Sequence, residues 1–174
     1  MPNLSSSPEI KAIRGAWLNP VSDERCGYLR DGLLVASKES DSWKVIELGD
    51  AEALITKHGL DSSQIEQEPG LLMPPFFDMH FHWVQDEVRD MPKASLLEWL
   101  EKYTFPKEAA FADPDFAEEK AAFFWKRILA TGTIGGLCYS SIHKRALESA
   151  VRHAPKYFKI GNVLMTMNSP EALT

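Results

Sequence analysis

Only two cysteines, Cys26 and Cys138, occur in the 174 residues. They lie far apart and outside any C-x-x-C pattern, so neither a disulfide framework nor a thiolate zinc site is indicated. A reducing cytoplasm is the expected compartment. No apolar run reaches the roughly eighteen residues that a membrane span requires, and from the polar start of the sequence, with Ser5, Ser6 and Ser7, no targeting signal is expected. Blocks of lysine or arginine are missing too: 19 basic residues are scattered among 25 acidic ones, for a formal net charge of −6. That balance argues against nucleic acid and against an anionic membrane as partners. There is no Gly-rich phosphate loop and no G-x-S-x-G elbow. H-x-E followed by P-C-x-x-C is also missing, which disfavours the zinc deaminase architecture that this motif marks. Repeats and low-complexity tracts are absent as well.

What is present is enough apolar sequence, 44% of residues, to build a core. The first seventy residues read as a β-rich segment. Short extended pieces at Ala12 to Leu18, Gly32 to Ser37 and Trp43 to Leu48 are separated by Asn19-Pro20, Asp31-Gly32 and a polar stretch, as in a small antiparallel sheet. Ala51 to His58 has helical spacing and stops before Gly59.

Residues 71–174 have a different texture. Leu71 to Trp83 is almost continuously apolar, as expected of one strand buried on both faces of a parallel sheet. Helices are predicted from Ser95 to Tyr103 and then from Asp113, an N-cap with Pro114 behind it, to a stop at Gly132. A strand at Thr133 to Ser140, a helix over Lys144 to His153 stopped by Pro155, and a strand at Tyr157 to Met165 complete the order. Strands alternating with helices imply parallel pairing, hence an α/β fold.

The chemistry sits in His80-Phe81-His82. Alternation along a strand puts Asp78, His80 and His82 on one face, with Phe77, Met79, Phe81 and Trp83 on the other. Two imidazoles at adjacent same-face positions are spaced to share one zinc ion at roughly 2.0 to 2.1 Å. Alone, H-x-H is a weak signal, because most such pairs make ordinary hydrogen bonds. Its position strengthens it: the histidines end a strand that runs into a helical crossover, where barrel and open-sheet enzymes collect catalytic groups. Gln85 follows three residues on, with an amide able to pair with a polar ligand edge. Asp86 and Glu87 read as a solvated loop.

Other candidates have plainer readings. His143 could approach the same strand ends, with a local hydrogen bond at a helix start as the alternative. His153 and His58 fit helix C-termini. Cys138 reads as a small apolar residue, Trp99 and Phe105 as packing. Asp78 is divided between orienting a ligand histidine and making a strand-end hydrogen bond.

Leu72-Met73-Pro74-Pro75-Phe76-Phe77-Asp78-Met79-His80-Phe81-His82 resembles the first barrel strand of the amidohydrolase superfamily. Leu96-Leu97-Glu98-Trp99-Leu100-Glu101-Lys102-Tyr103-Thr104-Phe105-Pro106 narrows the resemblance to the guanine deaminases. Gly132-Thr133, Ser141-Ile142-His143, Gly161-Asn162-Val163-Leu164-Met165 and Asn168-Ser169-Pro170-Glu171 extend it. Pro75 stands where the family usually has glycine, and Ile134-Gly135 where a threonine run is common.

The resemblance implies that His80 and His82 bind zinc and that Gln85 contacts a guanine substrate, which zinc-activated water deaminates to xanthine and ammonia. It also implies a TIM-type (β/α)8 barrel preceded by part of a small β-sheet domain. Such a barrel takes about 250 residues, so residues 71–174 are expected to supply only its first three units. The acid/base residues and remaining metal ligands are then expected beyond Thr174, from a complementing C-terminal portion. Two other readings stand beside this one: a catalytically incomplete fragment that self-associates or serves as an interaction module, and an amidohydrolase acting on another nitrogen heterocycle.

Overall fold

The computed structural model describes residues 9–165 and 169–173. Asn168, named above among the matching residues, lies outside the described residues, as do Ser5, Ser6 and Ser7. The chain divides into two compact units, Met1–Pro74 and Pro75–Thr174.

In the first unit, β1 (Ile10–Pro20), β2 (Cys26–Glu39) and β3 (Ser42–Asp50) pair antiparallel, and a fourth strand, β4 (Ile65–Leu72), lies parallel to β1. The sheet order is β3-β2-β1-β4. Ala12, Leu33 and Val35 pack with Ala51 and Leu54 of helix α1 (Ala51–His58) into a small core. That helix forms where capping chemistry dictates. The Asp50 side chain accepts the Ala53 N–H at 3.0 Å, and Gly59, at φ 61°, provides the left-handed turn that ends it.

β4 was not anticipated. Its sequence, Ile-Glu-Gln-Glu-Pro-Gly-Leu-Leu, is polar and carries Pro69, which only an edge strand tolerates. The expectation of one continuous strand from Leu71 to Trp83 is corrected accordingly. Leu71 and Leu72 close β4 in the first sheet, Met73 to Pro75 break the run, and β5 begins at Phe76. Two adjacent prolines supply no backbone donors and so interrupt the ladder.

In the second unit, β5 (Phe76–His82), β6 (Thr133–Ser140) and β7 (Tyr157–Asn162) form a parallel sheet in that order. Helices α4 (Pro114–Ala130) and α5 (Lys144–His153) connect them. Asp113 caps α4 through bonds from the Asp115 and Phe116 N–H groups, and Pro114 occupies its first turn. Ala117, Ala121, Phe124 and Trp125 of α4 pack with Ala146 and Ala150 of α5 against Cys138 and Phe158, forming the core of the unit. Phe81 joins from β5, its ring 5.9 Å from those of Phe124 and Phe158.

Burial of β5 on both faces is not observed: Phe76, Phe77 and Met79 are 50%, 56% and 60% exposed. Among the described residues β5 is an edge strand with β6 alone beside it, so apolar sequence was necessary for burial and not sufficient. β7 ends at Asn162, short of the expected Met165. The helix predicted at Ser95 to Tyr103 continues further, as α2 (Leu96–Trp99), a wider turn over Leu100–Thr104, and α3 (Phe105–Ala109).

Candidate active site

β5 presents His80 and His82 on one face, their ring centroids 5.4 Å apart. Tyr139, opposite His82 in the β5–β6 register, places its ring 4.8 Å from that of His80 and 5.2 Å from that of His82. Phe81, one residue out of phase, points to the helical core. The strand's period of two thus separates chemistry from packing.

After His82 the backbone turns into a single 3₁₀ segment, Trp83–Val88. Trp83, Val84 and Val88 anchor it in the interior, which leaves Gln85 beside the histidines. Asp86 pairs with Arg127 and lies 3.6 Å from Arg89, while Glu87 bridges Lys107 at 3.0 Å and Lys120 at 2.6 Å. The solvated loop expected for Asp86 and Glu87 is therefore replaced by ion pairs that hold the Gln85-bearing turn against α3 and α4.

His80, His82 and Gln85 open onto one cavity of about 690 Å³, whose walls include Leu100, Trp99, Phe105, Glu108, Val163 and Met165. Trp99 and Phe105 line it, so packing alone does not describe them. The larger miss is Glu108 of α3. It is 4% exposed, accepts the Gln85 Nε2–H at 2.8 Å, and borders the cavity. Burial pushes its carboxyl above the usual range, with the Gln85 bond opposing the shift. A glutamate in the sequence Pro-Lys-Glu-Ala reads as solvated helix, and only its distance to a residue 23 positions away distinguishes it.

Burial, and secondarily the charge of His80, hold His82 below the ordinary imidazole value. This favours the neutral ring, the form with a lone pair for a metal. Two same-face imidazoles fit a zinc ion as half of a ligand set. No cluster of three or more His, Cys, Asp or Glu able to hold a metal occurs among the described residues. Asp78 accepts the backbone N–H of His80 at 3.1 Å, the local strand-end bond.

The remaining histidines are not brought to this cavity. His153 and His58 bond to Glu118 at 2.7 Å and Glu47 at 2.9 Å, partners the helix-end reading did not include. His143 stands at the N-cap position of α5 without a side-chain capping bond: its backbone N–H donates to Ser141 Oγ at 3.3 Å, and its ring Nε2 is buried without a hydrogen-bond partner. Cys138 is buried, as expected, and burial pushes its thiol up to about 12. No helix among the described residues is long and apolar enough to cross a membrane.

No family model matches the chain. A guanine deaminase of Escherichia coli (strain K12) is 31% identical over 98% of this chain and 40% of its own length. A guanine deaminase of Homo sapiens is 33% identical over 97% of this chain and 37% of its own. The solved structure of the E. coli guanine deaminase superposes with a TM-score of 0.74 at 29% identity, covering 96% of this chain and 39% of that one. The chain thus spans about 40% of the length of the curated relatives it matches.

Proposed function

We propose, on the premise that this chain is a homologue of guanine deaminases, that its histidine-lined cavity is part of the active site of a zinc-dependent hydrolytic deaminase converting guanine and water to xanthine and ammonia. In this reading β5–β7 and their helices are the opening units of a (β/α)8 barrel, and β1–β4 belong to a small β-sheet domain preceding it. The units still required would bring further metal ligands and the acid/base groups.

The observation that carries the reading is convergence: His80, His82 and Gln85 reach the same cavity from one strand end and the turn that follows it. Bound zinc supplies Lewis acidity and a nucleophilic water near neutral pH. His80 and His82 would hold the ion through their ring nitrogens. Trp99 offers a flat face to a planar heterocycle. Leu100 and Phe105 keep bulk water from it, and Gln85 supplies a directional polar contact.

Metal analysis of the chain and of its His80→Ala and His82→Ala variants, after equilibration with zinc, tests the assignment. Zinc retained by the parent chain and lost from either variant, with the circular dichroism spectrum unchanged, is the expected result. Equal zinc in all three sinks it. In a protein carrying the complete barrel, either substitution is expected to abolish formation of xanthine from guanine.

A further inference from the structure

A carboxylate buried to 4% exposure on α3, one hydrogen bond from the residue assigned to the substrate, calls for an explanation beyond packing. Burying a carboxylate costs stability, and a helix that needed only to pack at this position would be served better by an apolar side chain. Glu108 borders the same cavity as His80 and His82. Its partner there is the Gln85 amide, at 2.8 Å.

The chemistry of that contact has a direction. An ionised carboxylate accepts hydrogen bonds and donates none, so only the NH2 end of the Gln85 amide can face it. The two ends of a glutamine are otherwise interchangeable in shape. With one Nε2–H bonded to Glu108, the amide is held with its NH2 end toward that carboxylate, and the opposite end, the carbonyl Oε1, is the only acceptor the Gln85 side chain can offer a ligand. That oxygen accepts, so it complements a ligand edge that carries N–H donors.

We propose that Glu108 is a positioning residue: it holds the Gln85 amide in one of its two orientations and thereby makes the cavity select heterocycles that present an N–H donor edge, such as an exocyclic amine beside a ring N–H. The inference rests on the reading of the cavity as a purine site. It adds the residue that sets the polarity of the purine contact.

The test uses the 174-residue chain loaded with zinc, its Glu108→Gln and Glu108→Asp variants, and two purines that differ only in the 2-amino group, guanine and hypoxanthine. Glutamine at 108 has the same shape, removes the buried charge and can donate as well as accept, so Gln85 loses its bias while the helix is kept. Glu108→Asp keeps an acceptor and serves as the conservative rescue. Calorimetric affinities are expected to favour guanine in the parent chain. Glu108→Gln should reduce that preference about tenfold, leave hypoxanthine affinity within about twofold of its starting value, and Glu108→Asp should restore part of the preference.

Equal weakening of both ligands in Glu108→Gln would overturn the proposal, because a merely structural role acts on both alike. A second arm needs no ligand. In ¹⁵N spectra the Gln85 side-chain amide, identified by its disappearance in Gln85→Leu, is expected to be shifted and slow to exchange, and to lose both properties in Glu108→Gln. An unchanged signal overturns the positioning role. If the parent chain binds neither purine, the guanine reading fails, and the amide signal still decides whether Glu108 fixes Gln85.

Discussion

The Trp83 indole donates its N–H to the Ser140 hydroxyl at 3.0 Å, with 1% of Trp83 and none of Ser140 exposed to solvent. The bond ties the turn after β5 to the end of β6, and so fixes the strand ends from which His82, Gln85 and Tyr139 project. Ser140→Ala leaves a buried donor without its partner, at an expected cost of about 1–3 kcal/mol. Urea unfolding of Ser140→Ala, Trp83→Phe and the double variant measures it. An additive double variant would show that the two side chains do not interact.

A side chain at Gly136 has nowhere to go. Its φ is 150°, and a Cβ there would collide with the backbone carbonyl of Asp78 on β5. Gly136→Ala is expected to cost at least about 1–3 kcal/mol through the collision together with backbone strain, and to shift the amide resonances of Asp78 and His80. Gly161→Ala, where an added Cβ meets nothing within 4 Å, is the control and should be nearly silent. Similar losses at both positions would count against the clash as the cause.

Glu118 accepts hydrogen bonds from Ser149, His153 and Arg152, in decreasing order of effect, and these hold its carboxyl at about 2, below the ordinary 4.5. A depressed carboxyl in the folded state stabilises above the unfolded value, and the contribution is lost as pH falls from about 4.5 toward 2. Glu118→Gln should flatten that part of the stability profile, measured by denaturant midpoint against pH. An unchanged slope would show that the cluster does not report on folding.

His82 titrates below the ordinary imidazole value of 6.5, through burial first and the charge of His80 second. The unfolded chain therefore takes up this proton before the folded one does, and His82 disfavours the fold progressively as pH drops below 6.5. In His80→Asn the midpoint of His82, followed by NMR, should rise but stay below 6.5. Full recovery would make the charge of His80, rather than burial, the dominant cause.

Local signals were legible where the chain itself carries them. Gly59 ends α1, Asp113 and Pro114 open α4, and the limits read for β6 and α5 coincide with those observed. The H-x-H alternation on β5 also held, with the two rings on one face. β4 was not legible, because a polar edge strand is stabilised by its neighbour's backbone rather than by its own pattern. The run from Leu71 to Trp83 was misread for a related reason: hydropathy reports that residues seek burial without reporting which sheet buries them.

The sequence by itself determined the capped helices, the strand carrying two same-face histidines, and the resemblance borne by the motif around them, since all three depend on residues a few positions apart. The tertiary structure decided what stands next to those histidines. Tyr139 arrives from the neighbouring strand and Glu108 from a helix 23 residues beyond Gln85, brought there by sheet register and helix packing. A carboxylate in a one-dimensional string has no dielectric and no partner; burial and contact give Glu108 both.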